Sequence, residues 1–536
     1  MSELSFDIKR LDHLGLVAGF CKEIGLEEII NQKLPKSSHR SKVSHGTLLK
    51  AMILNGLGFV SRTLHMCPEY FEDKPTERLL GEGILPEHIN DDAMGRLLDS
   101  LYDFGVTELY QDLAERVVKY LKLPCESLNV DTTSFHVDGE YEQDIDANTI
   151  HLTRGYSRDH RPDLNQVVLN LITENQAGLP LYMQACSGNN NDMDIFKKLV
   201  KSHIKSLKTA YNNQYLIADA ALYVEETIKL LSEEQQLFIT RIPQRLKEAK
   251  IIIAQAEQIK WNELKNGYAG YWFDSDYAGV KQRWLLVRSV QAKEREKHIL
   301  DSAVSRDTER AVKDFKKLCR RTFACEQDAQ AALADWLAGQ EFICLHNSRI
   351  IGQEKRAKRG RPGINDEVNT SFFISGSLST NLRCREEAQA NTGLFILGTN
   401  DCSETLSMQF LLDEYKSQQA VERGFRFLKS PDFLTASLFL KKPERIEALL
   451  MVMTCCLMVY AAIEHLIRKN LVEKHLFFPD MKKKPTQRPT ARWVFFCFQG
   501  VHVLIIAGQK PLITNLKERQ RVILDCLGKL YWDLYS

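Results

Sequence analysis

Ser-Leu-Asn-Val-Asp-Thr-Thr-Ser-Phe-His, residues 127–136, is the stretch on which the fold turns. It is rich in β-branched and aromatic side chains and reads as a buried strand, with Asp131 set in its middle. A carboxylate in such a strand is costly unless it is paired or binds a metal. A second apolar run, Gln-Tyr-Leu-Ile-Ala-Asp-Ala-Ala-Leu-Tyr (214–223), ends on Asp219, which small residues follow. For each aspartate the plain alternative is a strand-end residue bonded to local backbone. Asp138, Glu140, Asp192 and Glu414 are the substitutes.

Outward from 127–136 the pattern continues as strands at Val167–Thr173 and Leu179–Ala185, joined by Glu-Asn-Gln-Ala-Gly, a hairpin signal. A helix follows over Asp192–Leu207, with Asp192 or Asp194 at its start. The strand 214–219, a helix over Val224–Leu231 and a strand over Leu237–Ile242 complete the series. Strands alternating with helices predict a mixed α/β sheet flanked by helices. In such a sheet, functional groups gather at strand ends.

The 536 residues call for several domains. Residues 1–124 read as a helical N-terminal domain, with Asp91-Asp92 as a helix cap, and are a candidate for binding DNA ends. Residues 125–242 form the first part of the core. Residues 243–395 interrupt it as an α+β insertion domain, β-rich with helices. Residues 396–470 return to the core, and 471–536 form a C-terminal helical region. Within the insertion, Trp261, Trp272 and Trp284 read most simply as core, with stacking on a base as the alternative.

Composition narrows the class. With 44% hydrophobic and 26% charged residues the chain is globular. Its formal charge of +1 gives no global pull toward nucleic acid, so any such surface must be local. Thirteen scattered cysteines without a Cys-x-x-Cys pair suit buried thiols in a reducing compartment. No signal peptide shows at the N-terminus. The apolar run Ala448–Ile463 is short for a membrane span and reads as a buried helix. A cytoplasmic location without membrane partners is expected. There is no phosphate-binding Gly-x-x-x-x-Gly-Lys-Ser/Thr loop, no His-Glu-x-x-His and no Gly-x-Ser-x-Gly, which argues against nucleotide motors, zinc proteases and serine hydrolases.

The segment Glu-Tyr-Lys-Ser-Gln-Gln-Ala-Val-Glu-Arg-Gly-Phe-Arg-Phe-Leu-Lys (414–429) carries the sharpest signal. On a helix, with Tyr415 at zero, Glu422 falls near about −20°, Arg426 near about +20°, Lys429 near about −40° and Gln418 near about −60°. One narrow face holds a phenol, a carboxylate and two cations. A solvated face with Glu422–Arg426 pairing is the alternative.

The spacing Tyr415, Gln418, Glu422, Lys429 resembles the Tyr-Arg-Glu-Lys signature of DDE transposases of bacterial insertion sequences, in the insertion-sequence-four superfamily. Val-Asp-Thr-Thr (130–133), the stretch 155–164 and Asn-Thr-Gly-Leu-Phe-Ile-Leu-Gly-Thr-Asn (391–400) are similar to the same family. The resemblance implies an RNase H-like catalytic core in which Asp131, Asp219 and Glu422 hold two Mg²⁺ or Mn²⁺ ions. It also implies cut-and-paste transposition: cleavage at insertion-sequence ends, then transfer of the 3′-hydroxyl into target DNA. The partners would be double-stranded DNA (terminal inverted repeats and target) and a second copy of the chain in a paired-end complex. The location would be the bacterial cytoplasm, associated with the nucleoid. Tyr415, Gln418, Arg426 and Lys429 would contact DNA, as would Arg158, His160 and Arg161 in a loop, and Lys355, Arg356, Arg359 and Arg361 in a basic cluster. Gln418 stands where the signature has arginine. A catalytically silent DNA-binding derivative and a nuclease without strand transfer are the alternatives.

Overall fold

In the computed structural model, the residues described are 6–34, 42–59, 66–137, 149–155, 161–356, 368–430, 440–507 and 509–536. They divide into two compact units. One comprises residues 1–241, 275–282 and 398–536, the other residues 242–274 and 283–397.

The first unit is built on strands β1 (Ser127–Val137), β2 (Asn165–Glu174), β3 (Pro180–Ser187), β4 (Tyr215–Ala218) and β5 (Leu237–Arg241). Helices α1 (Asp192–Tyr211) and α2 (Glu225–Glu233) connect the last three. The spatial order is β3-β2-β1-β4-β5. β1, β2 and β3 pair antiparallel, while β4 runs parallel to β1, and β5 to β4. This is the mixed, RNase H-like sheet expected. β1 lies between β2 and β4 and is buried on both faces, as a parallel-paired strand should be. Within β1 only Asp131 and His136 are not fully buried. Helix α1 begins at Asp192, as expected, and is capped by Asn191, whose side chain accepts from the Met193 N–H. In the same way Asn90, and not Asp91-Asp92, caps the helix Asp91–Phe104 through the Ala93 N–H. In both places an asparagine accepts the orphan amide, and the aspartates behind it sit in the first turn, where the helix dipole favours them.

Three further helices complete the functional part: α3 (Met408–Ser417), α4 (Gln419–Leu428) and α5 (Pro443–Glu473). α5 contains the apolar run 448–463. It is the one described helix long and apolar enough to cross a membrane, yet 83% of its most apolar window is buried. Its cover comes from both ends of the chain: helices Leu14–Glu23, His45–Leu57, Asp91–Phe104, Val106–Leu121 and Glu518–Leu527 all pack on it. The Arg445 guanidinium clamps Asp99 with two 2.7 Å bonds.

The two ends are therefore one packing group, not separate helical regions. Nor are they wholly helical. Strand Phe6–Arg10 pairs antiparallel with His502–Ile506, which pairs with Leu512–Thr514. The Tyr535 hydroxyl donates to the Asp12 carbonyl at 2.5 Å. Strands this short find their partners some five hundred residues away, a pairing that local periodicity does not reveal.

The second unit contains a long, charged helix (Val290–Arg320), a shorter one (Glu326–Ala338) and the hairpin Ile343–Arg356/Val368–Thr380. Phe315, Phe323, Ala329 and Ile374 form its small core. Trp284 is fully buried. Trp261 and Trp272 are only half-buried, each beneath an arginine: Arg288 lies 4.7 Å and Arg283 4.2 Å from the ring centroid.

Candidate active site

The parallel ladder ends close to three polar residues. Val130 pairs with Ala218, and Ala218 with Thr240, in the last rung. Asp131 follows Val130 in β1, Asp219 stands just past the end of β4, and Arg241 is the last residue of β5. Neighbouring strands lie about 4.8 Å apart. Asp219 caps the short turn Ala220–Leu222. One of its carboxylate oxygens accepts from the Ala221 N–H (3.0 Å), and its carbonyl accepts from the Thr240 hydroxyl (2.7 Å). One oxygen of Asp131 accepts from the Thr132 N–H (2.8 Å). One oxygen of each carboxylate is thus held by nearby backbone.

Helices α3 and α4 run along this face of β1. The Ser417 hydroxyl lies 3.3 Å from the Asn129 side-chain oxygen at one end. At the other, the Lys429 ammonium lies 5.7 Å from the Phe135 ring centroid. Twelve helical residues cover about 18 Å and six strand residues about 20 Å, so helix and strand keep step. Between these ends opens a cleft of about 460 Å³, lined by Asp131, Thr133, Asp219, Tyr415, Gln418, Glu422, Phe425, Arg426 and Lys429. The three carboxylates and the whole helical face meet in one place.

Near Gln418 the helix is not regular. The Gln418 N–H donates to the Tyr415 carbonyl and the Val421 N–H to that of Gln418, a three-residue spacing that tightens the junction between α3 and α4. Gln418 is buried there, while Glu422 and Arg426 are exposed. Burial, followed by the negative charges of Asp219, Glu422 and Asp131, raises the Tyr415 phenol above its usual range, while Arg241 opposes them. The phenol therefore stays protonated near neutrality and is available as a donor.

Other residues are placed elsewhere. Asp192 accepts from the Thr132 hydroxyl at 2.6 Å, on the opposite face of β1 from Asp131. Glu414 accepts from the Asn175 amide. Arg161 forks onto Asp163 in an exposed turn and does not line the cleft. Arg158, His160, Asp138, Glu140, Arg359 and Arg361 lie outside the described residues. Lys355 and Arg356 end a strand of the second unit, and their side chains lie outside the described residues too. The sequence reading missed Arg241, Thr133 and Phe425. Arg241 had a signal: it is the last residue of a strand beside β4, where ligand-binding groups gather.

Among the described residues, no three His, Cys, Asp or Glu side chains already converge as a metal cage. The donor set still suits Mg²⁺, which takes one or two carboxylates plus water and substrate phosphate rather than an all-protein cage. The cleft offers oxygen donors only, with Lys429 and Arg426 in its wall for phosphate.

Residues 130–459, more than half of the chain, match the family model described as "Transposase DDE domain". The chain belongs to the DDE transposase family. Residues 6–115 of this transposase match a domain of unknown function, DUF4277. No curated protein sequence matches it. Among solved structures it is similar to a piggyBac transposase synaptic complex with hairpin DNA. The identity is 9%, with 92% of this chain and 82% of that one covered, at a TM-score of 0.37. Membership rests on the family model and not on that overlay. As a DDE transposase it acts on DNA, and enzymes of this family generally use divalent metal ions.

Proposed function

We propose that this transposase cuts the ends of its insertion sequence and joins the freed 3′-hydroxyls to target DNA, with Asp131, Asp219 and Glu422 as its metal-holding carboxylates. The observation that carries the reading is the common cleft: two aspartates, each one residue beyond the last pair of a parallel ladder, with Glu422 on the helix beside them. Two divalent ions held there would activate the attacking oxygen and stabilise the leaving one. Asp131 and Asp219 present oxygens from a rigid sheet, and Glu422 contributes one from α4. Lys429 and Arg426 bind the backbone phosphates on either side, the first as a point charge and the second as a fork. Tyr415 donates to a phosphate oxygen. Gln418, buried at the helix junction, holds the turn that points Glu422 into the cleft rather than gripping phosphate itself.

The spacing of Tyr415, Glu422 and Lys429 supports placing the chain in the insertion-sequence-four group, acting by cut and paste as a dimer on paired ends in the bacterial nucleoid. Incubating the protein with labelled end DNA, plasmid and Mg²⁺ tests the reaction. Joined end–plasmid products are expected. Nicks alone would make it a nuclease without strand transfer, and binding without cleavage a silent derivative.

A further inference from the structure

A second concavity, of about 430 Å³, opens on another side of α4. With Tyr415 again at zero, Glu422, Phe425 and Lys429 span about −80° to −20° on the helix, whereas Arg423, Phe427 and Gly424 span about 80° to 180°. Arg426, at about +20°, lies between and lines both hollows. The walls of the second are α4, α5, the turn between β2 and β3, and the segment Thr490–Arg492.

Its chemistry is uneven. Arg423, Arg426, Arg468 and Arg492 line it against a single carboxylate, Glu464. That carboxylate is taken up by Arg468 at 2.7 Å and by the Ala491 N–H at 2.7 Å. The pocket is therefore strongly cationic although the whole chain is close to neutral. Its floor is aromatic: Phe427 packs on Tyr460 with centroids 4.4 Å apart, and the Tyr460 hydroxyl accepts from the Arg492 N–H. Close by in sequence, the exposed turn 481–484 adds Lys482, Lys483 and Lys484.

Guanidiniums and aromatic rings lining one hollow is the combination that binds single-stranded nucleic acid. The volume suits one small ligand and not a duplex. We propose that this pocket receives a single-stranded DNA step continuous with the strand in the catalytic cleft, its phosphates on Arg423 and Arg492 and its base against Phe427 and Tyr460. The inference rests on the cleft acting on DNA. Arg426, shared by both hollows, marks the path between them. A strand seated here would lie directly against the helix that carries Glu422.

The test compares a blunt duplex with the same duplex bearing a short single-stranded extension, by fluorescence anisotropy with the full chain and no divalent metal. The wild type should bind the extended DNA about tenfold more tightly, and R423A/R492A should erase the difference. The salt dependence for the extended DNA should flatten by about 1.4 in log–log slope, two phosphates at about 0.7 each. R423K/R492K should keep most of the preference, which separates lost charge from lost fold. A wild type without preference, or an alanine pair that still discriminates, would overturn the proposal. Failure of strand joining with the preference intact would count against the proposed reaction and not against the pocket.

Discussion

The two sides of the catalytic cleft are held by different means. Asp131 lies in a strand and Asp219 directly follows the one paired beside it, and a local backbone bond holds an oxygen of each. Glu422 belongs to an exposed helical face, and its place depends on how α4 seats on its neighbours. The closest part of that seat is Gly424, where an added Cβ would come within 3.0 Å of Leu457 on α5. One half of the site is thus set by register and the other by packing. Register tolerates the loss of any single bond, because a one-residue slip would turn a whole strand over. Packing has no such redundancy.

Apart from the carboxylates themselves, the largest effect should follow from crowding the packed half. Gly424→Val crowds the Leu457 side chain on α5, a strain of about 1–3 kcal/mol, and shifts the seat of Glu422. End cleavage should fall about a hundredfold while the melting transition survives. The matching change on the strand half, Thr240→Val, removes one hydrogen bond to the Asp219 carbonyl and should cost no more than about threefold. Equal losses in the two variants, measured by initial cleavage rate, would erase the distinction between the halves.

A smaller effect sharpens the strand side. Arg241 follows Thr240, which pairs with the residue before Asp219, and its charge reaches the Tyr415 phenol. Arg241→Ala should slow cleavage about tenfold to thirtyfold, with Arg241→Lys recovering part of the rate, as expected for a cation near a developing negative charge. An unchanged rate in Arg241→Ala would show that this guanidinium serves only the fold.

Much of this was legible in the sequence because its signals are local. The strand–strand–strand–helix–strand–helix–strand series over 127–242 is written in short apolar runs and one hairpin, and the sheet follows it. Tyr415, Gln418, Glu422, Arg426 and Lys429 share a helical face by spacing alone, and they line one cleft. What was not legible depends on partners distant in the chain. No local pattern tells Phe6–Arg10 to pair with His502–Ile506, or shows that both termini wrap α5. Arg241 had only the signal of a strand end; that this end lies beside β4 shows in the folded sheet alone. The caps at Asn90 and Asn191 escaped more simply, since each stands one residue before a conspicuous aspartate.

The central claim is that Asp131, Asp219 and Glu422 act together through divalent metal on DNA. The most direct measurement is Mg²⁺-dependent cleavage of a labelled insertion-sequence end by the wild type and by Asp131→Asn, Asp219→Asn and Glu422→Gln, with end binding measured in parallel. The account predicts that each substitution lowers cleavage by about a thousandfold or more and leaves binding within a few-fold, since each removes a metal-holding carboxylate and no phosphate contact. Cleavage at near wild-type rate in any one of the three would contradict it.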